Sequence, residues 1–266
     1  MGELAVIGPL GRTVRDAAAL LDVLAGPAPG DPLPPAPLPI GGFLAAADAP
    51  PRQLRIGRFA TPMIADTPID DACMAAYEAA TNLLVDLGHE VSDVAAPYGP
   101  EVVASFESVW TVGAASIPLR PDVEDMLLPL TAWLRGRGQA VSGPELAAAV
   151  SAMRSVSRQA IVALADYDAV LTPALAQPSV TVGGLRDDAD PAADFAAQKA
   201  FTPFTAPFNV SGQPAMSLPI AQTGQGFPVA VQIVGRPNDE ATLIWLAAQV
   251  EAAVQWSQRH PEIWTT

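Results

Sequence analysis

Residues 54–94 confine this chain to a narrow set of folds. Leu54 to Phe59 reads as a short strand, and Asp70 to Leu87 carries Cys73, Ala76, Tyr77, Ala80, Leu84 and Leu87 at the three-and-four spacing of one helix face. Gly88 stops that helix, and a second strand runs from Glu90 to Val94. A strand, a helix and a strand in succession make a parallel pair with a right-handed crossover, because right-twisted strands feeding a right-handed helix pack back onto the sheet that way. The predicted class is therefore α/β, with α/β/α layers around a mixed β-sheet.

The rest of the chain can be read around that unit. Thr13-Val14-Arg15-Asp16 has the form of an N-cap with an acid three residues on, and Val14, Ala17, Ala18, Leu21 and Leu24 share one helical face until Gly26. Residues 27–51 hold Pro32, Pro34, Pro35, Pro37 and Pro39, which remove backbone donors and favour extended structure. A stiff surface loop is expected there; the uneven proline spacing and the lack of a closely flanking base speak against a recognition motif. Residues 101–165 are helical in pattern, broken around Pro118, Pro121 and Pro129, with a second capping box at Ser142-Gly143-Pro144-Glu145. Such a helical region is suited to roofing a pocket. Asp168 to Pro173 is an apolar run ended by proline, expected as a buried strand that delivers Thr172 to a loop. Asp187, Asp188, Asp190 and Asp194 lack the glycine of a calcium loop and read as solvated charge. Strands follow at Ala215 to Ile220 and Pro228 to Val234, then a helix from Asp239 that turns Leu243, Leu246, Ala247, Val250 and Val254 inward. No internal repeat is present, and residues 1–266 read as one domain.

Composition narrows the functional classes. Of the 266 residues, 50% are hydrophobic and 16% charged, enough apolar material for a folded core. No apolar run approaches the roughly 18 residues of a membrane span, and the N-terminus lacks the basic-apolar-small order of a secretion signal, so no membrane partner and a cytoplasmic location are expected. The net charge of -14 would repel a phosphate backbone, so no nucleic-acid partner is expected. Cys73 is the sole cysteine, which leaves no intrachain disulfide and no cysteine metal site; it reads as a small buried hydrophobe. No metal site is predicted from these residues.

Groups able to activate a hydroxyl nucleophile are scarce. His89 falls in a helix-to-strand turn where exposure is expected, and His260 lies beside Pro261 near the end of the chain. There is no Gly-x-Ser-x-Gly elbow and no His-Glu-x-x-His helix. Lys199, the one lysine, reads as a solvent-facing residue. No catalytic residue is assigned to this chain.

Two segments nevertheless carry a family resemblance. Residues 8–26 have the pattern Gly-Pro-Leu-Gly-Arg-Thr-Val-Arg-Asp-Ala-Ala, continuing through Leu-Leu-Asp-Val-Leu-Ala-Gly. Residues 202–245 contain Phe-Thr-Ala-Pro-Phe-Asn-Val-Ser-Gly-Gln-Pro-Ala-Met-Ser-Leu-Pro, then Phe-Pro-Val-Ala-Val-Gln-Ile-Val-Gly-Arg. In this order they resemble the C-terminal part of an amidase signature enzyme. That resemblance implies hydrolysis of carboxamide C–N bonds by a serine, a second serine held by a cis peptide, and a lysine. The family's Gly-Gly-Ser-Ser-Gly-Gly-Ser run does not occur here. The resemblance places this chain downstream of the chemistry, as part of an amidase domain inactive alone. It implies a small amide substrate for the whole enzyme and no metal or organic cofactor, with Thr172 and Pro173 on one pocket loop and Phe204, Thr205 and Asn209 on another. Each has a structural alternative: Asn209 satisfying its loop backbone, Phe204 in the core, Pro173 ending a strand. Other readings are a triad-less binding or scaffold protein, one subunit of a split amidase, or a homo-oligomer sealed by exposed sheet edge. An amidotransferase subunit is less favoured, because Thr202 stands where those subunits usually carry aspartate.

Overall fold

A computed structural model describes residues 4–30, 36–50, 52–99, 101–260 and 262–265. Elements are numbered in chain order. The strand–helix–strand segment forms as expected: β1 (Arg55–Arg58), α3 (Asp71–Asp86) and β2 (Glu90–Asp93), with β1 and β2 parallel. Asp70 caps α3 by accepting the Ala72 N–H at 2.8 Å. Its end is set by Gly88, whose φ of +91° suits a residue without Cβ.

β3 (Ala169–Pro173) lies parallel to β1 on its other side, β5 (Pro228–Gly235) runs antiparallel to β3, and β4 (Ala215–Gln222) closes the order β2-β1-β3-β5-β4. Alternation along the central strands splits the core in two. Leu171, Val231 and Ile233 face α1 (Val14–Leu24), α3 and α10 (Glu240–Val254), while Val170 and Val234 face Phe204, Phe208, Ala160 and Val102 on the opposite side. Both faces of the sheet are thus covered, which makes the α/β/α layering.

The second helical layer is α4 (Glu101–Ser116), α5 (Pro121–Glu124), α6 (Pro129–Gln139), α7 (Gly143–Ala163), α8 (Pro191–Phe201) and α9 (Ala206–Ser211). Both capping boxes form: Thr13 with Asp16 opens α1, and Ser142 with Glu145 opens α7. Gly138 permits α6 to touch α4, since a Cβ there would sit 2.0 Å from the Thr111 carbonyl oxygen. Glu107 of α4 ties two further helices, reaching Lys199 of α8 at 2.5 Å and Arg137 of α6 at 3.4 Å.

Several sequence expectations change here. Leu24 is exposed, because the buried stripe of α1 follows Val14 and Ala18 and has rotated away by the last turn. The proline-rich connection is not loop throughout: α2 (Gly42–Ala46) forms within it, held by the Asp22 carboxylate, which accepts the Phe43 and Leu44 N–H groups at 2.6 and 2.9 Å. Pro32, Pro34 and Pro35 lie outside the described residues; Pro37 is exposed. His89 is not exposed at its turn. At 5% exposure it packs edge-on to Trp245 with ring centroids 5.9 Å apart, and its Nδ1 accepts the Leu54 N–H at 3.3 Å. Lys199 is largely covered by its pairing with Glu107 and by the Phe195 ring 5.2 Å away, and does not face solvent freely.

Candidate functional site

The residues singled out as pocket wall gather around the antiparallel end of the sheet. Thr172 is in the strand itself, not on a loop, because β3 continues through Pro173 opposite Val231. It is 0% exposed and pairs across the ladder with Gln232. A buried hydroxyl and a buried amide must satisfy each other. Gln232 Nε2 donates to Thr172 Oγ1 at 3.1 Å and to the Phe204 carbonyl at 3.3 Å, and Thr172 Oγ1 donates onward to the Pro173 carbonyl at 2.8 Å. One side chain thereby fastens β3, β5 and the turn before α9 together.

Phe204 is also 0% exposed, seated with Phe208, Tyr98, Met63 and Val170. Tyr98 and Phe208 meet edge-to-face at 6.4 Å. Thr205 is the half-buried N-cap of α9, where its side chain makes no capping bond. Asn209 is half-buried on α9 and donates from Nδ2 to the Leu4 carbonyl at 3.1 Å, anchoring the N-terminal segment and not its own loop. After α9, Gly212 at φ +68° reverses the chain. Gln213 then donates to the Gly235 carbonyl at 2.9 Å, and the Ser211 hydroxyl donates to Gln213 Oε1 at 3.0 Å. The structure therefore joins Thr172, Pro173 and Phe204 in the interior and sets Thr205 and Asn209 on the adjoining half-buried helix.

Gln232 and Gln213 are the polar residues that sequence reasoning passed over. Their signal was present: Gln232 interrupts Val-Ala-Val-Gln-Ile-Val, and a polar side chain in a buried strand needs a partner.

A cavity of about 440 Å³ opens beside Thr202, immediately before this cluster. Its walls come from the start of α6, residues 180–188 and one face of α8. Asp194, expected as solvated charge, is 2% exposed in that wall. Its carboxylate accepts the Asp187 N–H at 3.2 Å and Gln198 Nε2 at 2.6 Å, so it organises the loop from inside. A smaller cavity, about 130 Å³, lies at the other end of β3, against Tyr167, Asp168 and Arg236. Among the described residues, no three His, Cys, Asp or Glu side chains are placed to hold a metal ion. None of the described helices is long and apolar enough to cross a membrane.

A mixed sheet between two helical layers, with residues 202–245 folded around its antiparallel end, defines the class of protein. The chain belongs to the amidase family, whose model matches residues 2–244. It is 32% identical over 280 residues to the 6-aminohexanoate-cyclic-dimer hydrolase of Paenarthrobacter ureafaciens, an alignment covering 96% of this chain and 55% of that protein. A solved structure of 6-aminohexanoate cyclic dimer hydrolase complexed with substrate superposes with a TM-score of 0.81 at 30% identity, over 94% of this chain and 55% of the other. A bacterial aryl acylamidase of the amidase signature family shares the fold, with a TM-score of 0.74 at 23% identity over 94% of this chain and 53% of the other. The chain spans about half the length of the relatives it matches.

Proposed function

We propose that this chain is the C-terminal, pocket-forming part of an amidase-signature hydrolase, and that alone it turns over no amide. The carrying observation is a pairing: the family's distal segments are present and folded, while the sequence contains no glycine- and serine-rich signature. An uncatalysed hydroxyl needs a base, and the one lysine is held by Glu107 in the helical layer. In this reading Thr205 and Asn209 face the amide pocket, and Thr172, Pro173 and Phe204 form the packed layer beneath its floor and wall. Those buried within the chain set the position of the half-buried ones. The substrate is a small uncharged amide, by analogy with the cyclic-dimer hydrolase; neither metal nor organic cofactor is needed, and the cytoplasm is its compartment. An amidotransferase subunit is disfavoured by Thr202. The test is hydrolysis of hexanamide and of an aryl anilide by the purified chain. No turnover above a matched blank is expected; turnover abolished by a fluorophosphonate would overturn the reading.

A second reading, association with a chain that carries the missing triad, is favoured by one feature. Val6, Ile7, Leu10 and Ile40 stand almost fully exposed, and β4 is an outer strand. Mixing with a polypeptide bearing the signature half is expected to restore hydrolysis; continued inactivity of a verified complex would reject this version.

A further inference from the structure

Arg12 fastens the segment before α1 to the residues that follow α10. Its guanidinium donates to the Ser257 carbonyl from Nε at 3.2 Å and from Nη2 at 2.9 Å, and Nη2 also reaches the Arg259 carbonyl and His260 Nδ1, each at 2.7 Å. A guanidinium has donors only, so the imidazole nitrogen is the acceptor. The cation also lies 5.3 Å from the centre of the Trp264 ring, on which His260 stacks with centroids 4.9 Å apart. Trp256 closes the contact from the other direction, its Nε1 donating to the Arg12 carbonyl at 3.2 Å. Every one of these partners lies beyond residue 244, where the family match ends. The path back to Arg12 starts at Gln255, the C-cap of α10, whose φ of +54° is a left-handed backbone that a side chain makes costly. The bonds to Arg12 offset that cost.

α1 itself is docked independently, with the Glu251 carboxylate accepting the Val14 N–H at 2.8 Å. Residues 5–11, by contrast, make no backbone hydrogen bond among the described residues, and Val6, Ile7 and Leu10 are largely exposed. That run is held at its two limits, by Arg12 and by Asn209 of α9, which donates to the carbonyl of the buried Leu4 at 3.1 Å. We propose that residues 256–265 are a strap that closes on Arg12 and, through the run from Leu4 to Arg12, fixes α9 and its Asn209. Arg12 is then a positioning residue. Releasing the strap restores backbone freedom to the run, and the entropy so gained weakens the bond between Leu4 and Asn209. The amidase reading enters only in that Asn209 faces the amide pocket.

Amide hydrogen exchange of the full chain, followed by mass spectrometry of its peptides, tests the strap. Arg12→Ala is expected to speed exchange about tenfold at Gln258 and Arg259, whose amides bond within the strap, and about threefold across α9. Gln255→Gly accepts the left-handed backbone without a side-chain penalty and is expected to slow exchange in the strap about threefold. Peptides of α3 report on the molecule as a whole and are expected to stay unchanged in both variants. The decisive comparison places Arg12→Ala in an Asn209→Ala background. With the link to Leu4 already cut, the Arg12 change is expected to leave α9 exchange within about twofold. The proposal is overturned if Arg12→Ala leaves α9 unchanged, if it speeds α9 equally with and without Asn209, if α3 speeds up to the same extent, or if Gln255→Gly opens the strap. None of these outcomes touches the amidase reading, which falls on turnover by the purified chain and not on exchange.

Discussion

Gln232 shows how much one buried side chain can hold. Both of its amide hydrogens are committed, to Thr172 and to the Phe204 carbonyl. Gln232→Leu keeps the volume but leaves two buried acceptors without that donor, and is expected to cost about 2–3 kcal/mol in urea unfolding. A loss near zero would mean that the tie is incidental. His89 contributes in another way. Burial lowers its pKa below the ordinary value and its Nδ1 must stay unprotonated to accept from Leu54. Because the folded pKa is depressed, the unfolded chain binds the proton first as pH falls. The stability His89 provides is whole above the unfolded pKa of about 6.5 and is lost as pH drops below it. Urea midpoints of the wild type and His89→Asn are expected to converge as the pH falls below about 6.5; parallel curves would contradict this. Cys73 is pushed up to about 11, chiefly by burial and secondarily by Asp70, so the native thiol is expected to resist a disulfide reagent at pH 8 and to react once unfolded.

Between elements, close approach and capping carry the helical layer. Gly138 lies against the backbone of Thr111, and no rotamer change can relieve a Cβ placed 2.0 Å from a carbonyl oxygen. Gly138→Ala must push α6 off α4, and is expected to cost about 1–3 kcal/mol, more than its gain in helix propensity returns. Gly136 serves as the control, since a Cβ there meets nothing within 4 Å; equal effects at the two positions would refute the contact. Ser142→Ala removes the hydroxyl that accepts from Glu145 at the start of α7, and thermal unfolding should register a loss of about 1 kcal/mol.

For the molecule as a whole, charge and exposed apolar surface oppose each other. A net charge of -14 keeps copies apart, whereas Val6, Ile7, Leu10 and Ile40 favour contact. The outer strand β4 is partly protected, because Pro219 lacks a donor and the register shifts between Leu218 and Ala221. Salt screens the repulsion but leaves apolar attraction in place. Sedimentation velocity is therefore expected to show association rising with sodium chloride at fixed protein concentration. A monodisperse monomer at both low and high salt would remove the case for a partner surface.

The elements that depend on neighbours a few residues away were legible in the sequence. Thr13 with Asp16, Ser142 with Glu145, Asp70 before α3 and Gly88 after it act within one turn, so their spacing already states their bonds. The crossover between β1 and β2 followed from twist and handedness, which every L-chain shares. Residues whose role depends on distant partners were misread or missed. Asp22 nucleates a helix from 21 residues away, and His89 is buried by a tryptophan of α10. Asp194 is charged yet interior because Gln198 and the Asp187 backbone meet it there, and Gln232 matters because Thr172 lies 60 residues off. The sequence by itself determined the class, the five strands and the family resemblance, since those rest on local periodicity and motif. Only the tertiary structure decided which polar groups are buried and where the cavity opens, because desolvation and pairing exist only once segments remote in sequence have come together.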